Sequence, residues 1–327
     1  MTDARVSIGV PAYNQGIYLR ETLASLVGQT DDASEIVVSD NHSTDSTPEV
    51  LREFQGLVRV VRPPSHLPMM AHWNYLLTRI DAPWFALLSS DDRAKPGYLT
   101  TLRRGIARDP RTVLVRAAFD IIDDSGAHVR RQRILTNRRI ASAPRTFLEQ
   151  VAINKTSFAA FACRRDVYMQ LGGFDEKFHL YGDWALWLRA SALGAFVYEP
   201  DVIADYRVNH RPGQLDARIR LELEDEMGIC LRVEPEVAAT LGAGAAQAQR
   251  AVAAASRRRL DVRLDQVSRH IDRSRWPELA DLIRPWADSA GRRAAIDALR
   301  GGTPVLRRDP LGRARTVVRE WIGNVIG

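Results

Sequence analysis

The stretch "RVSIGVPAYNQGIYLRETLASLVGQT", residues 5–30, decides the fold. Its first nine residues are mostly apolar and carry three β-branched side chains, as a strand buried on both faces requires. From Gly16 the period lengthens, and Ile17, Leu19, Leu23 and Leu26 fall roughly on one helical face. The same couplet then recurs. A strand "EIVVSD" (35–40) precedes a helix running from Thr47-Pro48 to Leu57. A strand "VRVVRP" (58–63) precedes a helix "MMAHWNYLLTRI" (69–80), and a strand "WFALLSS" (84–90) completes the unit. Thr47 and Pro48 have the chemistry of an N-cap and first helical residue, with Glu49 in the first turn. Apolar strands, each followed by a helix, imply an α/β fold with a parallel sheet covered on both faces.

Beyond residue 112 the pattern changes. "TVLVRAAFDIIDDSGAHVRRQRIL" (112–135) predicts two strands around an Asp-Asp-Ser-Gly turn. "FAAFACR" (158–164) and "AFVYEPDVIADYRV" (195–208) predict further strands, and "DWALWLRASALG" (183–194) a helix closed by Gly194. After about residue 216 strand signals vanish and an Ala/Arg-rich helical region follows. The expected division is an α/β domain over 1–215 and a helical region over 216–327, with the boundary between 212 and 220. No internal repeat is visible.

The chain has 327 residues, 45% hydrophobic and 26% charged, an ordinary composition for a water-soluble fold. The opening "MTDARVSIGVPAYN" lacks the basic flank and apolar core of a secretory signal. No apolar run reaches the roughly 18 residues that cross a bilayer. Cys163 and Cys230 are far apart and form no metal or redox pair, which fits a reducing cytoplasm. The net charge of +6 is concentrated: residues 231–327 hold 18 arginines, no lysine and 11 acids. The α/β part is therefore close to neutral. The tail is expected to be a solvated, Arg-rich helical surface, with no nucleic acid as partner.

In an open parallel sheet, ligands bind outside the carboxyl ends of the strands. Those ends are Pro11-Ala12-Tyr13-Asn14, Asp40-Asn41, and the acids of "ALLSSDDRAKPGYL" (86–99), Asp91 and Asp92. Neither GxGxxG nor GxxxxGK[ST] occurs, which disfavours a dinucleotide oxidoreductase or a P-loop enzyme. Two adjacent carboxylates gain nothing from burial alone. A hard divalent cation could bridge them to a diphosphate. The other reading is an exposed turn before a helix that begins at Pro96.

Four segments in order, "VSIGVPAYNQGIYLRETLASLVGQT", "EIVVSDNHSTDSTPEVL", "LLSSDDRAKPGYL" and "LGGFDEKFHLYGDWALWLRASALG", resemble the family 2 glycosyltransferases. These are inverting nucleotide-sugar transferases of the GT-A fold, a Rossmann-like, mostly parallel sheet flanked by helices. The resemblance runs from about Val6 to His210, and "AHWNYLL" is similar to an Asn-Trp-Asn element of one subgroup. It implies that Pro11 and Tyr13 line the nucleotide base pocket and that Asp40 binds base or ribose, with Asn74 in the same pocket. It implies Asp91 at the ribose, Asp92 on a Mg²⁺ or Mn²⁺ ion, His210 near the diphosphate, and Asp183 as catalytic base. Two positions depart from the family pattern: Ser89 stands where an Asp is usual, and Gly182 where a Glu is usual.

The implied activity is metal-dependent transfer from a UDP-, GDP- or dTDP-sugar to a hydroxyl-bearing acceptor in the cytoplasm. The alternative is a catalytically silent GT-A-like module that binds a nucleotide or a partner. Asp183 also reads as a helix N-cap, "LGGFD" as a glycine-permitted turn, and Trp184 and Trp187 as packing residues. His42, His66, His72, His179 and His270 have no ligand-like spacing. Near the end, Val317, Val318, Trp321, Ile322, Val325 and Ile326 follow helical spacing with Arg315 and Arg319 alongside. Such a helix fits docking on its own domain or a second subunit, or peripheral contact with the inner face of the membrane.

Overall fold

The computed structural model describes residues 5–29, 34–208 and 215–305. His210 and the amphipathic segment 315–326 lie outside the described residues. The chain forms two compact units, Met1–Arg207 and Val208–Gly327.

The first unit is built on a ten-stranded sheet ordered β3-β2-β1-β4-β9-β6-β10-β5, with β7 beside β6 and β8 beside β10. β1 (Val6–Ala12), β2 (Ile36–Asp40), β3 (Arg59–Val61) and β4 (Trp84–Leu87) are parallel. β6 (Thr112–Ile122) and β10 (Ala195–Arg207) run the same way, and β9 (Phe161–Arg164) is the antiparallel strand between β4 and β6. The sheet is thus mostly parallel. β5 (Arg93–Ala94), β7 (His128–Gln132) and β8 (Arg139–Ala141) are short antiparallel additions. β6 and β7 pair around the Asp123–Gly126 turn, as the sequence predicts.

Side chains alternate between the two faces of each strand, so the continuous apolar runs feed two cores. Val6, Ile8 and Val10 pack with Leu19, Leu23 and Leu26 of α1 (Gly16–Val27) and Leu99 and Leu102 of α4 (Tyr98–Ile106). Val37, Phe85 and Leu87 pack on the other face with Leu76 of α3 (Met69–Leu77) and Trp187 of α7 (Gly182–Ala190). Helices α2 (Thr47–Glu53), α5 (Arg145–Ala152) and α6 (Arg165–Gln170) complete the layers.

Three local expectations change. Ile17 is 78% exposed, because two residues from Leu19 on a helix means the opposite face. Ser46, and not Thr47, precedes α2. The Thr47 hydroxyl accepts from Gln15 N (3.3 Å), while Asp45 accepts from Thr47 N (3.0 Å) and Gly16 N (2.9 Å). α7 ends at Ala190, and Gly194 instead permits close approach to β6, since a Cβ there would lie 2.4 Å from Val113 Cγ1.

The described part of the second unit is helical: α8 (Leu215–Gly228), α9 (Glu234–Ala239), α10 (Ala245–His270), α11 (Trp276–Ile283) and α12 (Ala290–Arg300). Leu223, Leu264, Trp276, Ile283 and Ile296 are among its core residues. Its arginines are not all solvated. Arg263 is 2% exposed and donates to Glu226 Oε2 (2.6 Å), Glu222 Oε2 (3.1 Å) and Gln266 Oε1 (2.8 Å). No helix among the described residues is long and apolar enough to cross a membrane.

Candidate active site

The loops after β1 and β2 are tied to each other. Asn14 N donates to Ser43 Oγ (3.0 Å), and Asn14 Oδ1 accepts from Thr44 N (2.8 Å). Asn14 holds φ +50°, a left-handed conformation that Asn tolerates better than most residues. Pro11 sits in register with Ser39, and Asp40 is 4% exposed, its Oδ1 accepting from Ser43 N (2.9 Å). Tyr13 is half-exposed, with His66 at 4.7 Å between ring centroids. These residues make one wall with an open aromatic face. His72 is enclosed against Ser39 Oγ (2.9 Å), and burial pushes its imidazole down to about 4, so it stays neutral.

Asn74 departs from its expected place in the nucleotide pocket. Its amide donates to Phe174 O (2.9 Å) and Glu176 Oε1 (3.0 Å), and its carbonyl accepts from Tyr168 Oη (2.6 Å) and Phe174 N (2.9 Å). Both amide hydrogens and both carbonyl lone pairs are used, so nothing remains for a ligand. Asn74 clamps the "LGGFD" turn. Gly173 there has φ +82°, and a Cβ would come 2.9 Å from Asn74 Oδ1.

Asp91 and Asp92 follow β4, and Arg207 at the end of β10 fixes both. Arg207 N donates to Asp92 Oδ1 (2.8 Å) and Nε to Asp91 O (2.8 Å). Nη1 reaches Asp123 O and Asp124 O (3.0 Å each), Nη2 reaches Glu21 Oε2 (2.6 Å), and the guanidinium lies 4.6 Å from the Tyr18 ring. Sequence reading missed Arg207, whose partners lie up to 186 positions away with no local signature.

The two aspartates differ in exposure. Asp91 is half-buried and Asp92 is fully enclosed. Asp92 Oδ2 is buried without a hydrogen-bond partner, as is the Tyr98 hydroxyl, which feels the Asp92 charge. Burial, then the Asp91 charge, hold the Asp92 carboxyl well above the usual range. An orphaned carboxylate oxygen that feels a second carboxylate is chemistry that fits a hard divalent cation. Among the described residues no cluster of three or more His, Cys, Asp or Glu could hold a metal by itself. Diphosphate and water oxygens would have to complete the shell.

Asp183 is in the first turn of α7, where peptide dipoles favour a negative charge. Trp184 N donates to Oδ1 (2.6 Å) and Asn154 Nδ2 to Oδ2 (3.2 Å). Burial outweighs these bonds and pushes the carboxyl up to about 6. Trp184 Nε1 donates to Gln150 O (2.9 Å), and Trp187 is fully buried with its indole close enough to help hold the Asp183 carboxyl down. The neighbouring Gly182 has a steric cause: a Cβ would lie 2.3 Å from Met70 Sδ, so Met70 fills the space a longer side chain would take.

The sequence model described as Glycosyl transferase family 2 matches residues 7–172, half of the chain. The chain belongs to that family. It is a glycosyltransferase, and its mostly parallel sheet flanked by helices is the GT-A fold. It is 23% identical over 236 residues to an uncharacterized glycosyltransferase of Haemophilus influenzae, covering 66% of this chain and 72% of that one. It is 27% identical over 128 residues to glycosyltransferase GlyA of Streptococcus pneumoniae, covering 38% of this chain and 18% of that longer protein. Among solved structures it resembles S. aureus TarS in complex with UDP, with a TM-score of 0.65, 16% identity, and 98% of this chain and 91% of that one covered. It also resembles the mannosyltransferase PcManGT from Pyrobaculum calidifontis in complex with GDP-Man and Mn²⁺, with a TM-score of 0.51, 18% identity, and 90% and 85% covered.

Proposed function

We propose that this glycosyltransferase moves a sugar, with inversion, from a nucleotide-diphosphate sugar to a hydroxyl acceptor in a metal-dependent reaction in the cytoplasm. Residues 1–215 carry the reaction. Tyr13 and Pro11 receive the base and Asp40 the base or ribose. Asp91 and Asp92 hold a Mg²⁺ or Mn²⁺ ion, Asp91 on the open side, also facing the ribose, and Asp92 behind it; we keep His210 as a diphosphate-side candidate. Structures similar in fold bind UDP or GDP-Man with Mn²⁺, which supports a nucleotide-sugar donor and a divalent ion. When bound, the ion supplies Lewis-acid stabilisation of the departing diphosphate.

The observation that carries the reading is Asp183. A carboxyl held near 6 is ionised at neutral pH yet is a better proton acceptor than an ordinary aspartate. Asn154 and Trp184 N fix both its oxygens in place. Asp183 takes the proton from the acceptor hydroxyl as that oxygen attacks the anomeric carbon, and the nucleoside diphosphate leaves from the opposite face. One displacement inverts the configuration.

The test is nucleotide release from UDP-, GDP- and dTDP-sugars with and without EDTA. Slow release without acceptor, abolished by EDTA and restored by Mn²⁺, is expected. Thermal stabilisation by a nucleotide with no release under any acceptor would replace this reading with a silent binding module.

A further inference from the structure

Residues 125–148 contain six arginines and no acid. Several bases from this stretch and its neighbours converge on Glu149 of α5. Arg116 of β6 reaches it through Nη2 (2.6 Å to Oε2), Arg139 of β8 through Nη1 (3.5 Å to Oε1), and Arg145 through Nε (3.3 Å to Oε1). Lys155 is close enough for its charge to help hold the Glu149 carboxyl down. Four cations therefore face one carboxylate.

Arg116 is the telling member. It is 2% exposed, and its Nε and Nη1 are buried with no hydrogen-bond partner. An arginine does not shed its proton, and a buried donor left unpaired costs about 1–3 kcal/mol, more when charged. The Phe196 ring, 5.8 Å from Cζ, offers a π-face but no oxygen. Burial lowers the proton affinity of Lys155; the Glu149 charge raises it, and the Arg116 and Arg139 charges lower it again. The cluster is short of negative charge.

It also adjoins Asp183. Gln150 accepts from Lys155 N (3.3 Å) through Oε1 and donates to Thr156 Oγ1 (3.0 Å), and its carbonyl accepts from Trp184 Nε1. Asn154, next to Lys155, bonds the Asp183 carboxylate directly. The 153–156 loop thus joins the base to the cation cluster.

We propose that Arg116, Arg139, Arg145 and Lys155 form an anion subsite for the acceptor, holding a phosphate or carboxylate group on it while its hydroxyl faces Asp183. This rests on Asp183 being the base. The Nε and Nη1 donors of Arg116, left unpaired while Nη2 holds Glu149, are the N–H groups such an oxyanion would satisfy, and the neighbouring bases supply the remaining charge.

The test is calorimetric titration of the whole protein, saturated with UDP or GDP and Mn²⁺, with glycerol 1-phosphate against glycerol and with glucuronate against glucose. Binding of an anionic probe, weakened about tenfold or more in Arg116→Met and in Lys155→Met, is expected, with no binding of the neutral counterparts. A response to the phosphate alone or the carboxylate alone assigns the group. Equal binding by wild type and both variants, or no preference for the anion, overturns the subsite. Should Arg116→Met fail to fold, Lys155→Met, at a half-buried loop position, decides alone. Nucleotide affinity measured on the same wild-type sample separates the levels. Nucleotide binding without anion discrimination sinks only the subsite, whereas no nucleotide binding sinks the donor reading and the subsite with it.

Discussion

The strand ends around Arg207 and the loops around Asp183 belong to one compact unit but are built on opposite terms. Around Arg207 every side-chain nitrogen is used: four hydrogen bonds leave the guanidinium, and the backbone N–H holds Asp92. Around Asp183 the charges are only partly met. Its carboxylate accepts from Asn154 and Trp184 yet is pushed up to about 6, and Arg116 close by uses one of its three nitrogens. A saturated charge is structure, because moving it would break several bonds at once. An under-compensated one is held at a cost that a ligand or a proton can relieve. The first region is saturated and the second is not; on the proposed reading, the second is where the acceptor binds.

The sharpest break in this contrast is Asp183→Asn. It should lower transfer by about 10²–10⁴-fold, equivalent to about 3–5 kcal/mol, with donor affinity unchanged in calorimetry. Lost donor affinity would mean that Asp183 belongs to the donor side. Arg207→Met should cost about 1–3 kcal/mol in urea unfolding, because the carbonyls of Asp91, Asp123 and Asp124 lose their donor together, while Glu21 keeps Arg93. A cost below about 1 kcal/mol would show that the saturated network is dispensable.

The pH dependence has a definite sign. The Asp183 carboxyl is raised in the fold, so stability is highest with it protonated and falls as pH rises from about 4 to about 6. The loss across that interval is about 3 kcal/mol, from roughly 1.4 kcal/mol for each pH step between the unfolded and folded midpoints. The rate should rise over the same range, with an acid limb near pH 6, and Asp183→Asn should remove this share of the stability change while the raised Asp92 carboxyl keeps its own. The smallest effect belongs to Arg116→Met, less than about 1 kcal/mol in urea unfolding, since Glu149 keeps Arg139, Arg145 and Lys155. Arg263→Met in the helical unit is its control. It should cost about 3 kcal/mol or more, because it leaves Glu222 and Glu226 enclosed.

Much of the fold was legible because the signal is local. The runs Val6–Val10, Ile36–Val38 and Trp84–Leu87 are apolar throughout or nearly so, and each ends in polar residues that mark the rim. The turn at Asp123–Gly126 announced its hairpin by composition. Asn74 was misplaced because its partners, Tyr168, Phe174 and Glu176, lie about a hundred positions away, and an amide shows nothing of its bonds in sequence. Asp91 and Asp92 were legible as a pair, but not which of them faces outward. Arg116 looked like one more residue of a strand.

The sequence by itself determined the alternation of strands and helices from β1 to β4, the acids at the strand ends, and the family to which those segments point. Periodicity and adjacent residue chemistry are written along the chain. Only the tertiary structure decided that Arg207 locks the Asp91–Asp92 turn, that Asn74 clamps a loop, that Met70 occupies the space beside Gly182, and that Arg116 is buried short of partners. Burial and charge compensation are properties of neighbours in space, and these neighbours are brought together only when distant strands pair and helices cover them.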